Sequence, residues 1–214
     1  RVVVAADGTV DPADCAPGGV TPADLHRPAG EAAADAIRRA CPSVETGAMT
    51  PDERPDLVLL ASLAPITTEL RVTLHAGAVP HLVAGVREAT AVVGPLVLPG
   101  RTSCLHCADL HRTDRDPSWP LVAAQLDRRE HGRVPACATA VSFGAVALAV
   151  GQTLAFLDGE PVDTVNGTLE LAEPTWRIRR RSWPPHHRCG CRDLRNPLGD
   201  PHPTGHNGSD GPSR

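Results

Sequence analysis

Gly94-Pro-Leu-Val-Leu-Pro-Gly100-Arg-Thr-Ser-Cys104-Leu-His-Cys107 is the stretch on which this chain turns, and its counterpart far downstream is Cys189-Gly-Cys191. An apolar strand runs into Pro99-Gly100, a tight turn, and then into a Cys-x-x-Cys knuckle. Gly190 gives the second pair the same freedom to turn. Four thiolates suit a tetrahedral zinc ion and leave no open coordination position, so such a site is structural rather than catalytic. One Cys-x-x-Cys alone would compete with a redox motif. Two pairs bracketing one folded segment point to metal, with Cys104, Cys107, Cys189 and Cys191 as ligands and Zn²⁺ as the ion. Unliganded buried thiols or a redox pair are the competing readings. His106, His111, His186 and His187 crowd the same regions as surface or supporting residues, and His187 is the histidine best placed to replace one cysteine.

Composition narrows the possibilities around that site. The chain has 214 residues, which suits one domain with a sizeable core plus appendages. There is no Tyr and aromatic residues make up 2%, so the core is expected to be aliphatic. All 21 basic residues are Arg, which excludes a P-loop lysine and Schiff-base chemistry. A net charge of -4 gives no basic footprint for nucleic acid or an anionic membrane. The Arg177 to Arg181 run alternates with Trp176 and Ile178 and reads as a solvated strand face. Ala136 to Leu157 is long enough to span a bilayer, but Ser142, Gln152 and the lack of anchoring residues at its ends favour a buried core helix. With no secretory features, the chain is expected to be cytoplasmic and its cysteines metal-bound rather than paired as disulfides.

Outward from the knuckle, Val2 to Ala6 reads as a strand closed by Asp7 and Gly8. Pro28 opens a helix to about Cys41, with Ala33, Ala36, Ile37 and Ala40 on one face. A short strand is expected near Val44 to Ala48. Leu57 to Leu60 is a continuous apolar run, the pattern of a parallel strand buried on both faces. A helix over Thr67 to Ala76 and two strands, His81 to Arg87 and Ala91 to Leu98, follow. Short helices are expected over Cys104 to Arg112 and Trp119 to Arg129, then a charged bend at Asp127 to Arg133. The long helix ends at Asp158 and Gly159, and Thr164 to Ala172 pairs with Thr175 to Trp183 as a hairpin. Residues 193–214 are rich in Pro, Gly, His, Asp and Asn and are expected to be a disordered tail.

Taken together these elements resemble the ThiF/MoeB family of adenylating, ubiquitin-activating-like enzymes. The carriers are Val2 to Pro42, the Gly94-to-Cys107 block, Val134-Pro-Ala-Cys137 with the helix after it, and Trp183 to Cys191. A narrower resemblance is to actinobacterial ThiF-like proteins that accompany YcaO-type cyclodehydratases in thiazole- and oxazole-modified peptide biosynthesis. It rests on Cys104-Leu-His-Cys107-Ala-Asp-Leu-His-Arg112, Asp114-Arg-Asp-Pro-Ser-Trp119-Pro, Gln125-Leu and His187-Arg-Cys-Gly-Cys191. The implied architecture is α/β, a Rossmann-like ThiF-type fold lacking its first βαβ unit, with the zinc site and a C-terminal β hairpin. The implied domain is 1–192, truncated at its N-terminus.

The departures from the family decide the expected function. No glycine-rich loop precedes Arg1, the stretch from Asp11 to Leu25 lacks a basic residue, and Leu57 to Thr68 lacks an acid. Asp7 and Arg27 are the remaining candidates for nucleotide contacts, and Asp7 reads equally as a turn residue. Cys137 stands where some relatives keep a sulfur-carrying or thioester cysteine, or is a small residue packed at a helix head. ATP and Mg²⁺ are therefore doubtful cofactors, because attack on an α-phosphate needs charge to stabilise it. The first expectation is a degenerate scaffold that binds a precursor peptide or the cyclodehydratase. The second is a working adenylyltransferase in a longer chain, and the third a plain zinc-stabilised interaction domain. The long helix is a reasonable homodimer interface.

Overall fold

The computed structural model describes residues 1–50, 52–63, 66–129 and 137–192. The tail expected over 193–214, part of the charged bend and the stretch from Val134 to Ala136 lie outside the described residues.

A five-stranded mixed sheet organises the chain, in the order β1-β2-β3-β4-β5. The strands are β1 (Val58–Leu60), β2 (His81–Arg87), β3 (Thr90–Val97), β4 (Gly167–Ala172) and β5 (Arg177–Ser182). Only β1 and β2 are parallel, joined through helix α2 (Thr68–Ala76); the remaining pairs are antiparallel. Thr67 caps α2 by accepting the Leu70 N–H at 3.2 Å. The two hairpins fall where the turn residues and alternation place them.

Helices α3 (Leu105–Arg115) and α4 (Trp119–Arg129) follow β3, and α5 (Thr139–Leu157) crosses the sheet. Val141, Ala145 and Ala149 of α5 are buried, a spacing of four residues that makes one helical stripe. Ala149 packs with Leu82, Ala84, Val93 and Leu96, and Val141 and Ala145 pack with Ala91. This is the aliphatic core that the composition implied.

Gly94 is needed in β3: its φ is +106°, and a Cβ there would meet the Gly167 carbonyl oxygen at 2.5 Å. The close backbone approach of β3 to β4 follows from that missing side chain.

Four expectations are corrected. Val2 to Ala6 and Val44 to Ala48 are not strands; a single parallel bridge, Val2 to Thr46, joins them. Val2 is 45% exposed, so neither segment has the central partner that a ladder requires. Leu57 to Leu60 does yield a parallel strand, but β1 is a sheet edge with Leu59 46% exposed, not a strand covered on both faces. Helix α1 (Ala29–Ala40) buries Ala32 and Ala36 while Ala40 is exposed, because Gly30 lies against the backbone of Val4 and Ala6 and sets the helix rotation. Finally, α5 is not buried all round. Phe143, Val146, Val150, Leu154 and Leu157 form an exposed apolar stripe opposite the sheet, and α5 is long and apolar enough to cross a membrane by length and composition.

Candidate metal centre

The two cysteine pairs converge on each other through secondary structure that each brings along. Thr102 Oγ1 accepts the Leu98 N–H at 2.8 Å and closes the turn after β3. Cys104 then caps α3, and Cys107 sits one turn inside it. The second pair arrives after β5, in the short 3₁₀ turn at Gly190–Arg192, with the Cys189 N–H bonded to the His186 carbonyl at 2.9 Å.

The Sγ atoms of Cys104 and Cys107 are 3.8 Å apart, those of Cys104 and Cys189 3.6 Å, and those of Cys107 and Cys191 3.6 Å. All four lie within 4.8 Å of one another. A tetrahedron with metal–sulfur bonds of about 2.3 Å has edges of about 3.8 Å, so the cage has the dimensions of a tetrathiolate ion site. Cys104, Cys107 and Cys191 are buried and Cys189 is half-buried, packed with Val97 and Leu105. The donor set fits a structural metal, and no coordination position faces solvent for substrate.

The thiols of the cluster act strongly on one another. Hydrogen bonding to Cys107 and burial push the Cys104 thiol far above its ordinary range. Burial and the neighbouring Cys107 push Cys191 up to about 12. Cys107 is pulled down, to about 4, chiefly by its contact with Cys104. One sulfur carries charge readily while its neighbours then resist it, and a divalent ion at the centre removes that conflict.

Of the residues that support the cluster, His186 was among the histidines expected there, whereas Asn166 had no sequence signal strong enough to find it. The His186 N–H donates to Cys107 Sγ at 3.4 Å. Its Nδ1 accepts the Arg188 N–H at 3.1 Å, which leaves Nε2–H to donate to Asp114 Oδ2 at 2.7 Å. Asp114 also pairs with Arg188. His187, the histidine expected to compete as a ligand, instead stacks on His186 with ring centroids 4.4 Å apart. Asn166 joins the two halves: its Oδ1 accepts the Ser103 N–H and its carbonyl accepts the Trp183 N–H, each at 2.7 Å.

The other candidates lie elsewhere. Arg27 pairs with Asp24 at 2.7 Å and with Asp35. Asp24 is held down to about 2 by the Thr21 N–H and hydroxyl and by its arginine partners. Asp7 is exposed at the amino end of α1, beside Gly8, whose carbonyl accepts the Ala29 N–H at 3.0 Å. No hydrogen bond or ion pair joins Asp7 to Arg27 among the described residues. Cys137 is half-buried just ahead of α5, with its Sγ 3.1 Å from Ser142 Oγ.

Among solved structures the fold is similar to that of E. coli MccB. With AMPCPP and selenomethionine MccA bound, MccB gives a TM-score of 0.59 at 17% identity over 80% of this chain and 52% of that one. The microcin C7 biosynthetic enzyme MccB with N-formylated MccA gives 0.60 at 16%, over 80% and 54%. PaaA gives 0.58 at 18%, over 85% and 63%. The chain thus spans about half the length of the MccB chains it matches. No family model matches it, and neither does any curated protein.

Proposed function

We propose that this chain is a zinc-stabilised, ThiF/MoeB-like subunit of ribosomal-peptide maturation, acting as a scaffold for a precursor peptide and for a YcaO-type cyclodehydratase partner that performs the ATP chemistry. The observation that carries this reading is a four-cysteine cluster with the dimensions of a metal site, in a chain whose candidate nucleotide contacts are not brought together. The four sulfurs lie within 4.8 Å of one another, while Arg27 pairs with Asp24 and Asp35, and exposed Asp7 has no hydrogen bond or ion pair among the described residues. The fold shared with MccB, a microcin C7 biosynthetic enzyme crystallised with MccA, supports the setting. On this reading β1-α2-β2 is the parallel part of a Rossmann-like sheet. The cage holds Zn²⁺ and fixes the amino end of α3 to the segment after β5. The protein works in the cytoplasm, and the exposed stripe of α5 is covered by a second copy.

Purified protein, mixed with a YcaO-type cyclodehydratase and its precursor peptide, should elute with at least one of them as a complex containing two copies of this chain. Separate elution of all three overturns the scaffold reading. The second reading is a working adenylyltransferase, favoured by one observation, that the similar fold is solved with ATP and with AMPCPP. Peptide-dependent exchange of pyrophosphate into ATP by this chain alone would select it over the scaffold.

A further inference from the structure

The two faces of the sheet differ in charge. Side chains alternate along a strand, so Arg87 shares a face with His81 and Val83, opposite Leu82 and Ala84, which pack with Ala149 of α5. The register sets Arg87 across from Thr90, Ala172 and Arg177 in one row, and Val92 across from Glu170 and Arg179 in the next. The face away from α5 is therefore rich in arginine, with Glu170 as its carboxylate, and Glu170 is engaged by Arg181.

A cleft of about 80 Å³ opens on this face beyond the carboxyl end of β1, the end at which parallel α/β units bind ligands. Three elements each contribute an arginine to it: Arg71 from α2, Arg87 from the end of β2 and Arg112 from α3. Asp109 is the acidic group in the lining. It is already used, accepting from Arg112 Nη1 at 2.9 Å and from Trp119 Nε1 at 3.2 Å. Arg112 is fixed further by its position over two indoles, 5.1 Å from the Trp119 centroid and 5.2 Å from that of Trp183. Arg71 is half-buried and Arg87 exposed, and neither makes a hydrogen bond or ion pair among the described residues. The carboxylates near these three guanidinium groups are already occupied, Asp109 by Arg112 and Trp119 and Glu170 by Arg181, so an excess of positive charge remains in a small space. The rest of the wall is apolar and includes Leu63, Val83 and Leu105.

We propose that this cleft binds a carboxylate carried on an apolar body, with Arg71 and Arg87 pairing with it and Arg112 held as the positioning wall. Planar guanidinium forks match a carboxylate, and the aliphatic lining suits an uncharged body better than it suits a phosphate, which needs donors on every side. The site does not depend on the scaffold reading. It would stand if no partner enzyme bound, and its failure would leave that reading untouched.

The test uses the full, metal-loaded chain labelled with ¹⁵N, observing the arginine Nε–Hε signals during titration with N-acetyl-leucine, N-acetyl-leucinamide and inorganic phosphate. The acid should shift the Arg71 and Arg87 signals saturably, and binding should weaken as salt rises. Loss of one charge-assisted pair corresponds to about tenfold weaker binding, so Arg71→Gln and Arg87→Gln should each lose about that much and the amide, which forfeits both pairs, about a hundredfold. Because Arg87 is exposed at a strand end, Arg87→Gln keeps the test open should Arg71→Gln fold poorly. The proposal is overturned if the amide binds as well as the acid, if phosphate binds more tightly than the acid, or if neither substitution changes affinity.

Discussion

Spacing shows which sulfurs meet but not what holds them in place. Cys104, Cys107, Cys189 and Cys191 were legible because two close pairs with turn residues carry their own geometry. Asn166 was not legible, since a lone Asn before Gly167 reads only as a turn. Its φ of 52° and its two hydrogen bonds appear only once β4 lies beside the cysteine loop. Asn166→Ala should cost about 1–3 kcal/mol by orphaning the Ser103 N–H and should hasten metal loss to a chelator, measured by denaturant unfolding and by metal release. His81, at the start of β2, is another residue whose surroundings the sequence does not show. It is fully buried, its Nδ1–H donates to the Val79 carbonyl at 2.9 Å, and burial lowers its pKa to about 4. A depressed histidine binds fewer protons folded than unfolded, so its contribution is complete above about pH 6.5 and is lost as pH falls toward 4. Unfolding free energies should drop by an amount on the order of 3 kcal/mol across that window, and His81→Gln should flatten the part of the slope that His81 causes.

Along single elements, periodicity placed helices and strands well and failed on what covers them. Helix α5 shows this best. Its sequence is apolar all round, which predicts burial all round, yet only the Val141, Ala145, Ala149 stripe touches the sheet. A hydropathy pattern cannot report how many neighbours the rest of the chain supplies. Two glycines of α5 make a paired prediction. A Cβ at Gly151 would meet nothing within 4 Å, whereas one at Gly144 would come within 2.5 Å of Leu171 Cδ2. Gly151→Ala should therefore stabilise by about 0.5–1 kcal/mol through helix propensity. Gly144→Ala should lose that gain to crowding at Leu171, and thermal unfolding of the two variants should separate them in sign.

At the scale of the whole molecule, the four-cysteine cluster joins the segment after β5 to the start of α3, while the α5–sheet core is formed separately by Leu82, Ala84, Val93, Leu96 and Ala149. Removing the metal should accordingly loosen one region more than the other. Chelation at neutral pH should lower the melting temperature by about 10 °C, equivalent to a few kcal/mol in a domain of this size. Hydrogen exchange should rise first in α3 and around His186 to Cys191, with β2 and β3 still protected. Uniform loss of protection would mean that the cage and the core fold as one unit.

The sequence alone determined which four cysteines converge, the aliphatic core, the parallel β1-α2-β2 unit and both hairpins, because each follows from spacing or alternation within a short window. Only the tertiary structure decided that β1 is an edge, that Val2 to Ala6 pairs with almost nothing, that one face of α5 is bare and that Arg71, Arg87 and Arg112 line a common cleft. Those facts depend on which distant segments come to lie side by side, and local pattern carries no information about the neighbours a surface will have.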